Sequence, residues 1–502
     1  MLNKLPPPVL KYDIGDMAGL TSKIKHWSDY SELPEIELKE VWVGVDAVQR
    51  LPRAFESLGF APGGVIVVVM DGVEYRRKGS PVKDYALSLL GEAGYAVEEK
   101  IIEGDSYGIV HAGFKEVQEV KELLGTDKAV LSIGSGAITD IAKHACFLFA
   151  QDTQPEGFGG LPLVSVMTAN TVGAYTSRMS IISKDNVKRT WPSRTPDILI
   201  MDIGILMDCP RQFSVAGAGD MLPVFCAYAD WYFADRLGMG SFLDASWRIV
   251  DDIKDLLLPY AGKIANGSEV GMEVAGKCLL ETGLCMTYAR DSAPVSGYEH
   301  VISHMLDMTA SHDGRQTGIH GQQVGIASIL SILNLEYLIE KLNRIASDRG
   351  SFDAGSCYPG EETMREKVFG VFHEVDPSDV MGAECWRDYS VKLMGWRDAK
   401  PQLLEFLDNW REHSSTLREL MPRGARECVE ALRALGMPLE FSALAYPVTE
   451  ERGRWAFRNA MFMRKRLTAA DILYYRGFAD DEWERCVFTK YDELLRQAGE
   501  CV

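Results

Sequence analysis

The sequence lacks any Cys-x-x-Cys pair, although it contains ten cysteines among its 502 residues. Scattered cysteines without a disulfide-like framework are typical of reduced thiols, so we expect a cytoplasmic protein. The sequence also lacks an apolar run that approaches membrane-spanning length, and its first residues contain no apolar secretion segment. We therefore expect no membrane partner.

Positive charge is also scarce, because 53 Lys and Arg residues face 72 Asp and Glu residues, for a net charge of −19. A protein that binds nucleic acid without sequence preference needs a basic face, so this balance argues against that class. The same balance disfavours an anionic membrane surface. A small anionic substrate remains possible, since a few local cations or amides can hold it. We predict a homo-oligomer that acts on a small molecule, and the charge balance allows a phosphorylated one.

Short apolar runs alternate with helical periodicity through the first two hundred residues. The nearly uniform apolar character of these runs is typical of strands that helices cover on both faces. This pattern predicts an α/β domain over residues 1–208, with a doubly wound, Rossmann-like parallel sheet. The predicted strands are Val41–Val45, Val65–Met70, Ala129–Ile133, Leu163–Met167 and Ile198–Met201.

Helical periods dominate after Pro210, and no convincing strand pattern reappears. We therefore predict a helical domain over residues 209–502. A loop rich in Gly, Ser and Asp interrupts the helices near residues 347–360. The stretch 345–425 resembles an insertion within this domain.

Histidine is rare, yet four of the nine histidines fall between residues 300 and 320. His300 and His304 are four residues apart, so on a helix they project from one face. His320 opens a second apolar segment, and Asp220 follows the close-packing glycines Gly217 and Gly219. One carboxylate and two imidazoles leave a coordination position open for substrate. We predict that Asp220, His300 and His320 bind a divalent metal, although Asp220 could instead cap a helix.

A glycine-rich turn, Gly134-Ser135-Gly136, follows a predicted strand and leads into a helix that carries Asp140. Such a turn lets the backbone approach a pyrophosphate at the helix N-terminus. It departs from the usual Gly-x-Gly-x-x-Gly pattern. A simple strand-to-helix turn is an equally good interpretation.

Two further strand ends carry polar residues. Asp71 ends an apolar strand, where a carboxylate commonly binds a ribose hydroxyl and repels a 2′-phosphate, which favours NAD over NADP. A solvated loop aspartate or a helix cap would look the same. The hydroxyl-rich stretch Thr168–Ser177 follows another strand, where open α/β sheets bind ligands, or it serves its own backbone.

These elements, in this order, resemble the sn-glycerol-1-phosphate dehydrogenases. That family belongs to a larger group with the iron-type alcohol dehydrogenases, glycerol dehydrogenases and dehydroquinate synthases. The resemblance covers residues 41–326 and resumes at Met463-Arg464-Lys465-Arg466-Leu467-Thr468. It implies NAD-dependent interconversion of a small secondary alcohol and its ketone. The family's substrate pair is sn-glycerol-1-phosphate and dihydroxyacetone phosphate.

The resemblance also implies roles for individual residues. The metal, which could be zinc, nickel or iron, would bind the Asp220, His300 and His320 set, and His304 would be the catalytic histidine close to substrate. NAD is the implied cofactor, with NADP less favoured. Its implied contacts are Asp71, Gly134, Ser135, Gly136, Asp140, Thr168, Thr171 and Ser177.

One position departs from the family pattern. Gly173 stands where the family places an aspartate that binds the substrate hydroxyl. Loss of such a partner would cost about 1–3 kcal/mol of substrate recognition. Two alternatives therefore remain, a dehydroquinate-synthase-like cyclase that recycles NAD and a catalytically altered NAD-binding protein. Against the cyclase, Tyr175 stands where that family has lysine.

Overall fold

The computed structural model describes residues 8–153, 160–184, 187–347 and 359–500. Its strands are β1 Glu40–Gly44, β2 Val65–Asp71, β3 Arg76–Arg77, β4 Ser80–Pro81, β5 Ala96–Ile102, β6 Lys128–Gly134, β7 Leu163–Met167, β8 Met179–Lys184, β9 Val187–Pro192 and β10 Ile198–Asp202. Six strands form one parallel sheet in the order β1-β10-β7-β6-β2-β5. β3 pairs with β4 and β8 pairs with β9 as antiparallel hairpins.

Helices account for most of the remaining chain. In the first half they are α1 Met17–Ile24, α2 Leu51–Ser57, α3 Val82–Glu92, α4 Phe114–Glu122, α5 Gly136–Thr153, α6 Ile203–Asp208, α7 Arg211–Met221, α8 Ala227–Arg236, α9 Asp244–Ile249, α10 Asp251–Ala265 and α11 Glu269–Ala289. In the second half they are α12 Tyr298–His312, α13 His320–Ser347, α14 Glu361–His373, α15 Val380–Asp398, α16 Lys400–Asp408, α17 Trp410–Leu420, α18 Ala425–Leu435, α19 Glu450–Asn459, α20 Ala469–Tyr475 and α21 Asp481–Glu500.

The sheet is buried on both faces, as its apolar strands predict. In β2, Val68 belongs to one hydrophobic cluster, whereas Val67 and Val69 belong to the other. Successive strand residues point to opposite faces, so each strand must be apolar throughout when helices cover both sides. The predicted fold class, a doubly wound α/β region followed by a helical region, is confirmed.

Some elements differ from the sequence prediction. β5 was not predicted, because Glu98, Glu99 and Lys100 interrupt its apolar residues, and it is an edge strand that pairs only with β2. The helical pattern after Pro210 is broken by a short 3-10 turn at Leu222–Phe225, where Pro223 cannot donate a helical hydrogen bond. The loop predicted near residues 347–360 lies mostly outside the described residues.

The contacts divide the chain into two compact units, and both are discontinuous in sequence. The first unit comprises Met1–Ala218 and Ala245–Asp291, and the second comprises Gly219–Asp244 and Ser292–Val502. The parallel sheet therefore lies in the first unit together with α10 and α11. The second unit is helical throughout its described residues.

Within the part of the chain that the structure describes, one helix, α13, is long and apolar enough to cross a membrane by length and composition alone. In the folded chain, however, 89% of its most apolar window is buried. Its hydrophobic residues thus pack against protein, as expected for the central helix of a helical core.

Glu281 is an unfavourable group at the centre of α11. It is 0% exposed, and neither carboxylate oxygen makes a hydrogen bond among the described residues. Burial, followed by the nearby charge of Asp252, raises the pKa of Glu281 well above its usual value. In the folded state the carboxylate of Glu281 therefore binds a proton more tightly than it does in the unfolded chain.

Stability should consequently fall as the pH rises above about 4.3, the usual pKa of glutamate. We expect Glu281→Met to stabilise the fold by about 1–3 kcal/mol at pH 8, because it removes an unsatisfied buried group. The gain should shrink at pH 5, where the native side chain is protonated in the folded state. Thermal unfolding at both pH values measures this, with Glu273→Met, half-buried on the same helix, as the control. A Glu281→Met variant less stable than the native chain at pH 8 would contradict the prediction.

Candidate metal centre and cofactor loops

The start of α12 positions two of the histidines. The buried carboxylate of Asp230 accepts the amide N–H of Tyr298 at 2.9 Å, which satisfies one of the donors that the first helical turn leaves open. His300 and His304 then lie one turn apart, with ring centroids 6.0 Å apart. The predicted helical spacing of these histidines is confirmed by the geometry of α12.

Gly219 allows Asp220 to lie close to His320, the first residue of α13. A Cβ atom on Gly219 would collide with the backbone carbonyl oxygen of Gly321. Two backbone segments can approach this closely only where one of them carries no side chain. The glycine thus brings the carboxylate of Asp220 to the beginning of α13.

Asp220, His300 and His320 converge on one point. Asp220 Oδ1 lies 3.3 Å from His300 Nε2 and 3.4 Å from His320 Nε2, and the three potential ligand atoms lie within 4.8 Å of one another. Asp220 Oδ1 is buried and makes no hydrogen bond among the described residues. A buried carboxylate oxygen that faces two imidazole nitrogens fits a divalent cation with an open coordination position.

The titration behaviour of this cluster follows from its charges. Burial by itself would raise the pKa of Asp220, but the neighbouring imidazoles outweigh burial and lower it. Burial likewise works to lower the pKa of His300, but the carboxylates of Asp220 and Glu299 raise it to about 9. The cluster therefore attracts positive charge, whether a proton or a metal ion.

A second set of contacts orients the two imidazoles. The carboxylate of the fully buried Glu299 accepts the Nδ1–H of His300 at 3.1 Å. Ser303 donates its hydroxyl hydrogen to Gln323 Oε1 at 2.8 Å, so its oxygen can only accept from His320 Nδ1, at 3.2 Å. In both rings Nε2 is then left with its lone pair directed to the cluster, as metal binding requires. These supporting residues were not identified from the sequence, although two of them lie within a turn of His300.

His304 lies beside the cluster, and the side chain of Arg464 lies next to His304. Its ring stacks on that of His320 at a centroid distance of 5.7 Å, and its Nδ1 is 3.5 Å from Arg464 Nη2. Two residues further on, Arg466 donates to the carbonyl oxygen of Ser296, before α12. This arginine-rich segment carries part of the family resemblance, but its sequence pattern predicted no role for either arginine.

The predicted cofactor residues of the first unit follow three adjacent strands. Asp71 ends β2, Gly134 ends β6 and Thr168 follows β7, and these strands are neighbours in the sheet. A Cβ atom on Gly136 would lie 2.6 Å from Val172 Cγ2, so the glycine turn packs on the loop after β7. Thr168 Oγ1 is buried without a hydrogen bond among the described residues, which leaves it able to bind a ligand.

Two of the predicted cofactor residues, Asp140 and Ser177, make contacts within the protein. Asp140 is buried, accepts the amide N–H of Ile181 at 3.0 Å and pairs with Lys143 at 3.0 Å. The fully buried Lys143, whose pKa is lowered by burial, also donates to the carbonyl oxygens of Ala174 and Ser177. This pair therefore holds the loop after β7. Direct cofactor contact by Asp140 and Ser177 stays a prediction.

Steric crowding explains why the chain has glycine at position 173, where the family has an aspartate. A Cβ atom at Gly173 would collide with the Thr282 hydroxyl and lie 2.8 Å from the Gly283 backbone nitrogen, both on α11. The loop after β7 packs directly on this helix, so an aspartate has no room there. Nearby, Tyr175 is fully buried and donates its hydroxyl to the Gly134 carbonyl oxygen at 3.0 Å.

Comparison with known proteins gives consistent matches. The family model described as iron-containing alcohol dehydrogenase matches residues 42–210. A glycerol-1-phosphate dehydrogenase (NAD(P)+) of Bacillus subtilis is 30% identical over 288 residues, which cover 57% of this chain and 67% of the relative. The enzyme of the same name from Halalkalibacterium halodurans is 28% identical over 303 residues, covering 59% of this chain and 70% of the relative.

Solved structures agree on the fold. An iron-containing alcohol dehydrogenase from Thermotoga maritima superposes with a TM-score of 0.50 at 14% identity, covering 89% of this chain and 98% of that chain. An alcohol dehydrogenase from Oenococcus oeni has the same TM-score at 15% identity, covering 89% and 99%. The resemblance inferred from the motifs is confirmed. The chain is an enzyme that belongs to the glycerol-1-phosphate dehydrogenase family, a branch of the iron-containing alcohol dehydrogenases.

Proposed function

We propose that this enzyme reversibly oxidises a small secondary alcohol to its ketone with NAD(P)+ and a divalent metal ion, and that the physiological pair is sn-glycerol-1-phosphate and dihydroxyacetone phosphate. The convergence of Asp220, His300 and His320, with both imidazoles oriented through Nδ1, carries this proposal. In the oxidative direction the alcohol carbon gives a hydride to NAD(P)+ and the hydroxyl loses its proton. The products are the ketone, NAD(P)H and a proton.

The three side chains suit the metal in number and chemical type. When bound, the ion acts as a Lewis acid that polarises the substrate oxygen. Asp220 supplies the charged oxygen, and His300 and His320 supply nitrogens whose orientation is maintained by Glu299 and Ser303. Zinc, nickel and iron all accept such a ligand set.

The cofactor is proposed to bind at the strand ends of the first unit. The glycine turn Gly134–Gly136 offers backbone amides at the N-terminus of α5, which favours a pyrophosphate. Thr168 and Thr171 offer hydroxyls from the neighbouring loop, and Thr168 Oγ1 is buried without a hydrogen bond among the described residues. The relatives from Bacillus subtilis and Halalkalibacterium halodurans carry NAD(P)+ in their names.

His304 is proposed to move the substrate proton. Its ring packs against that of His320, so it lies close to any substrate oxygen at the metal site. A neutral imidazole can take the hydroxyl proton in oxidation and return it in reduction.

Arg464 also supports the phosphorylated substrate. A guanidinium next to the substrate-side histidine provides the fork of donors that a phosphate ester binds. The Arg464 side chain would bind the phosphate end of the substrate. Such a contact would contribute to substrate recognition in this chain, where Gly173 replaces the aspartate that binds the substrate hydroxyl in the family. Among the described residues no observation favours the cyclase alternative, since Tyr175 is buried and serves Gly134.

The direct test is NADH oxidation by the purified chain with dihydroxyacetone phosphate. We expect turnover that chelator abolishes and added Zn²⁺, Ni²⁺ or Fe²⁺ restores, with unphosphorylated dihydroxyacetone as a poorer substrate. Chirality of the product, determined with a stereospecific glycerol-3-phosphate dehydrogenase, distinguishes the two glycerol phosphates. Turnover that survives complete metal removal would contradict the proposal.

A further inference from the structure

The carboxylate of Asp71 is already bound within the protein. Asp71 ends β2 and is 3% exposed. Its Oδ1 accepts from Lys83 Nζ at 2.7 Å and from the amide of Val73 at 3.0 Å. Its Oδ2 accepts the hydroxyl of Tyr75 at 2.7 Å. Three donors thus surround a carboxylate that the sequence pattern assigns to a ribose.

Lys83 neutralises this carboxylate. The lysine lies in the first turn of α3, and its side chain is 15% exposed. Its ammonium also donates to the backbone carbonyl oxygens of Asp71 and Val73 and lies 5.0 Å from the centroid of the Tyr75 ring. Both charges are largely shielded from water, so the pair is a fixed, nearly neutral unit at the end of β2.

This neutral unit changes the usual argument about cofactor choice. An acidic residue at the end of the second strand favours NAD because it accepts a ribose hydroxyl and its free charge repels a 2′-phosphate. In this chain the charge is compensated, and the lone pairs are shared with three internal donors.

We propose that Lys83, by pairing with Asp71, determines cofactor choice and allows NADP(H) to bind about as well as NAD(H). This inference rests on the proposed cofactor site at the strand ends of the first unit. It revises the preference for NAD that the sequence pattern suggested. The charge that decides between the two cofactors is therefore that of Lys83, which lies on α3.

Equilibrium titration of the full chain with NADH and with NADPH, followed by nucleotide fluorescence, tests this without turnover. We expect the native chain to bind both within about a factor of ten. Lys83→Met exposes the 2′-phosphate to an uncompensated carboxylate, so the Kd for NADPH should rise about 10-fold or more relative to that for NADH. Lys78→Met is the matched control, because this exposed lysine, in the turn between β3 and β4, pairs with Asp46 instead.

A second variant covers the case in which Lys83→Met does not fold. Asp71→Asn keeps the ammonium and removes the anion, so the Kd for NADPH should fall several-fold while that for NADH rises or stays constant. Equal shifts for both nucleotides in these variants, or rejection of NADPH by the native chain, would overturn this inference alone. Failure of the native chain to bind either nucleotide would overturn the proposed function and the inference with it.

Discussion

Replacing His300 by alanine is expected to empty the metal site and to lower kcat/KM by about 10³-fold or more, since a bound metal contributes several kcal/mol of charge stabilisation. The reason is geometric, because His300 Nε2 lies 3.3 Å from Asp220 Oδ1 and its Nδ1 is held by Glu299. Without this ring, one carboxylate and one imidazole remain as ligands. Metal content after dialysis and the rate of NADH oxidation measure the two effects.

His312→Ala is the matched control for this experiment. His312 is the last residue of the same helix and is exposed, so its loss should leave metal content and rate within about twofold of native, as for most surface substitutions. A His300→Ala chain that keeps one metal per subunit and the native rate would show that the cluster is not the catalytic centre.

Replacing Arg464 by methionine is expected to lower kcat/KM for dihydroxyacetone phosphate by about 10- to 100-fold, because charge-assisted hydrogen bonds contribute about 1.5–3 kcal/mol. The variant keeps much of the side-chain stem and removes the guanidinium beside His304. Turnover of unphosphorylated dihydroxyacetone and the metal content should change little. Steady-state kinetics with the two ketones separates phosphate recognition from a general loss of activity.

Lys465→Met serves as the control for Arg464→Met. Lys465 is the next residue and is exposed. The Lys465→Met variant therefore removes the same formal charge from the same segment but keeps the guanidinium beside His304. An equal loss for both ketones in the Arg464 variant would point to a structural role. An unchanged rate with dihydroxyacetone phosphate would refute phosphate binding by this arginine.

The sheet was largely predictable because burial on both faces demands continuous apolar strands. β2, β6, β7 and β10 all show this pattern, and each was identified within a residue or two. β5 was missed because an edge strand tolerates charged residues at exposed and half-buried positions, here Glu98, Glu99 and Lys100. The β8–β9 hairpin was missed because it lies outside the main sheet and follows no two-face burial pattern.

The candidate metal ligands were predictable for a different reason. His300 and His304 are spaced by one helical turn, so local geometry alone places them on one face. Asp220 was marked by the two glycines that precede it, and the collision that a side chain at Gly219 would cause with Gly321 explains why Gly219 is required. The residues that orient the rings, Glu299 and Ser303, were not singled out, since a glutamate and a serine on a helix are common in many other roles.

The amino-acid sequence alone determined the alternation of strands and helices, the family motifs and the identity of the three candidate ligands, because these depend on short-range periodicity and spacing. Only the folded chain decided what each charged group faces. Lys83 reaches back from α3 to neutralise Asp71, Lys143 and Asp140 hold the loop after β7, and Arg464 comes beside His304 from a distant segment. Such pairings depend on which segments the fold brings within a few ångströms, and the strength of a charge interaction depends on that distance and on burial.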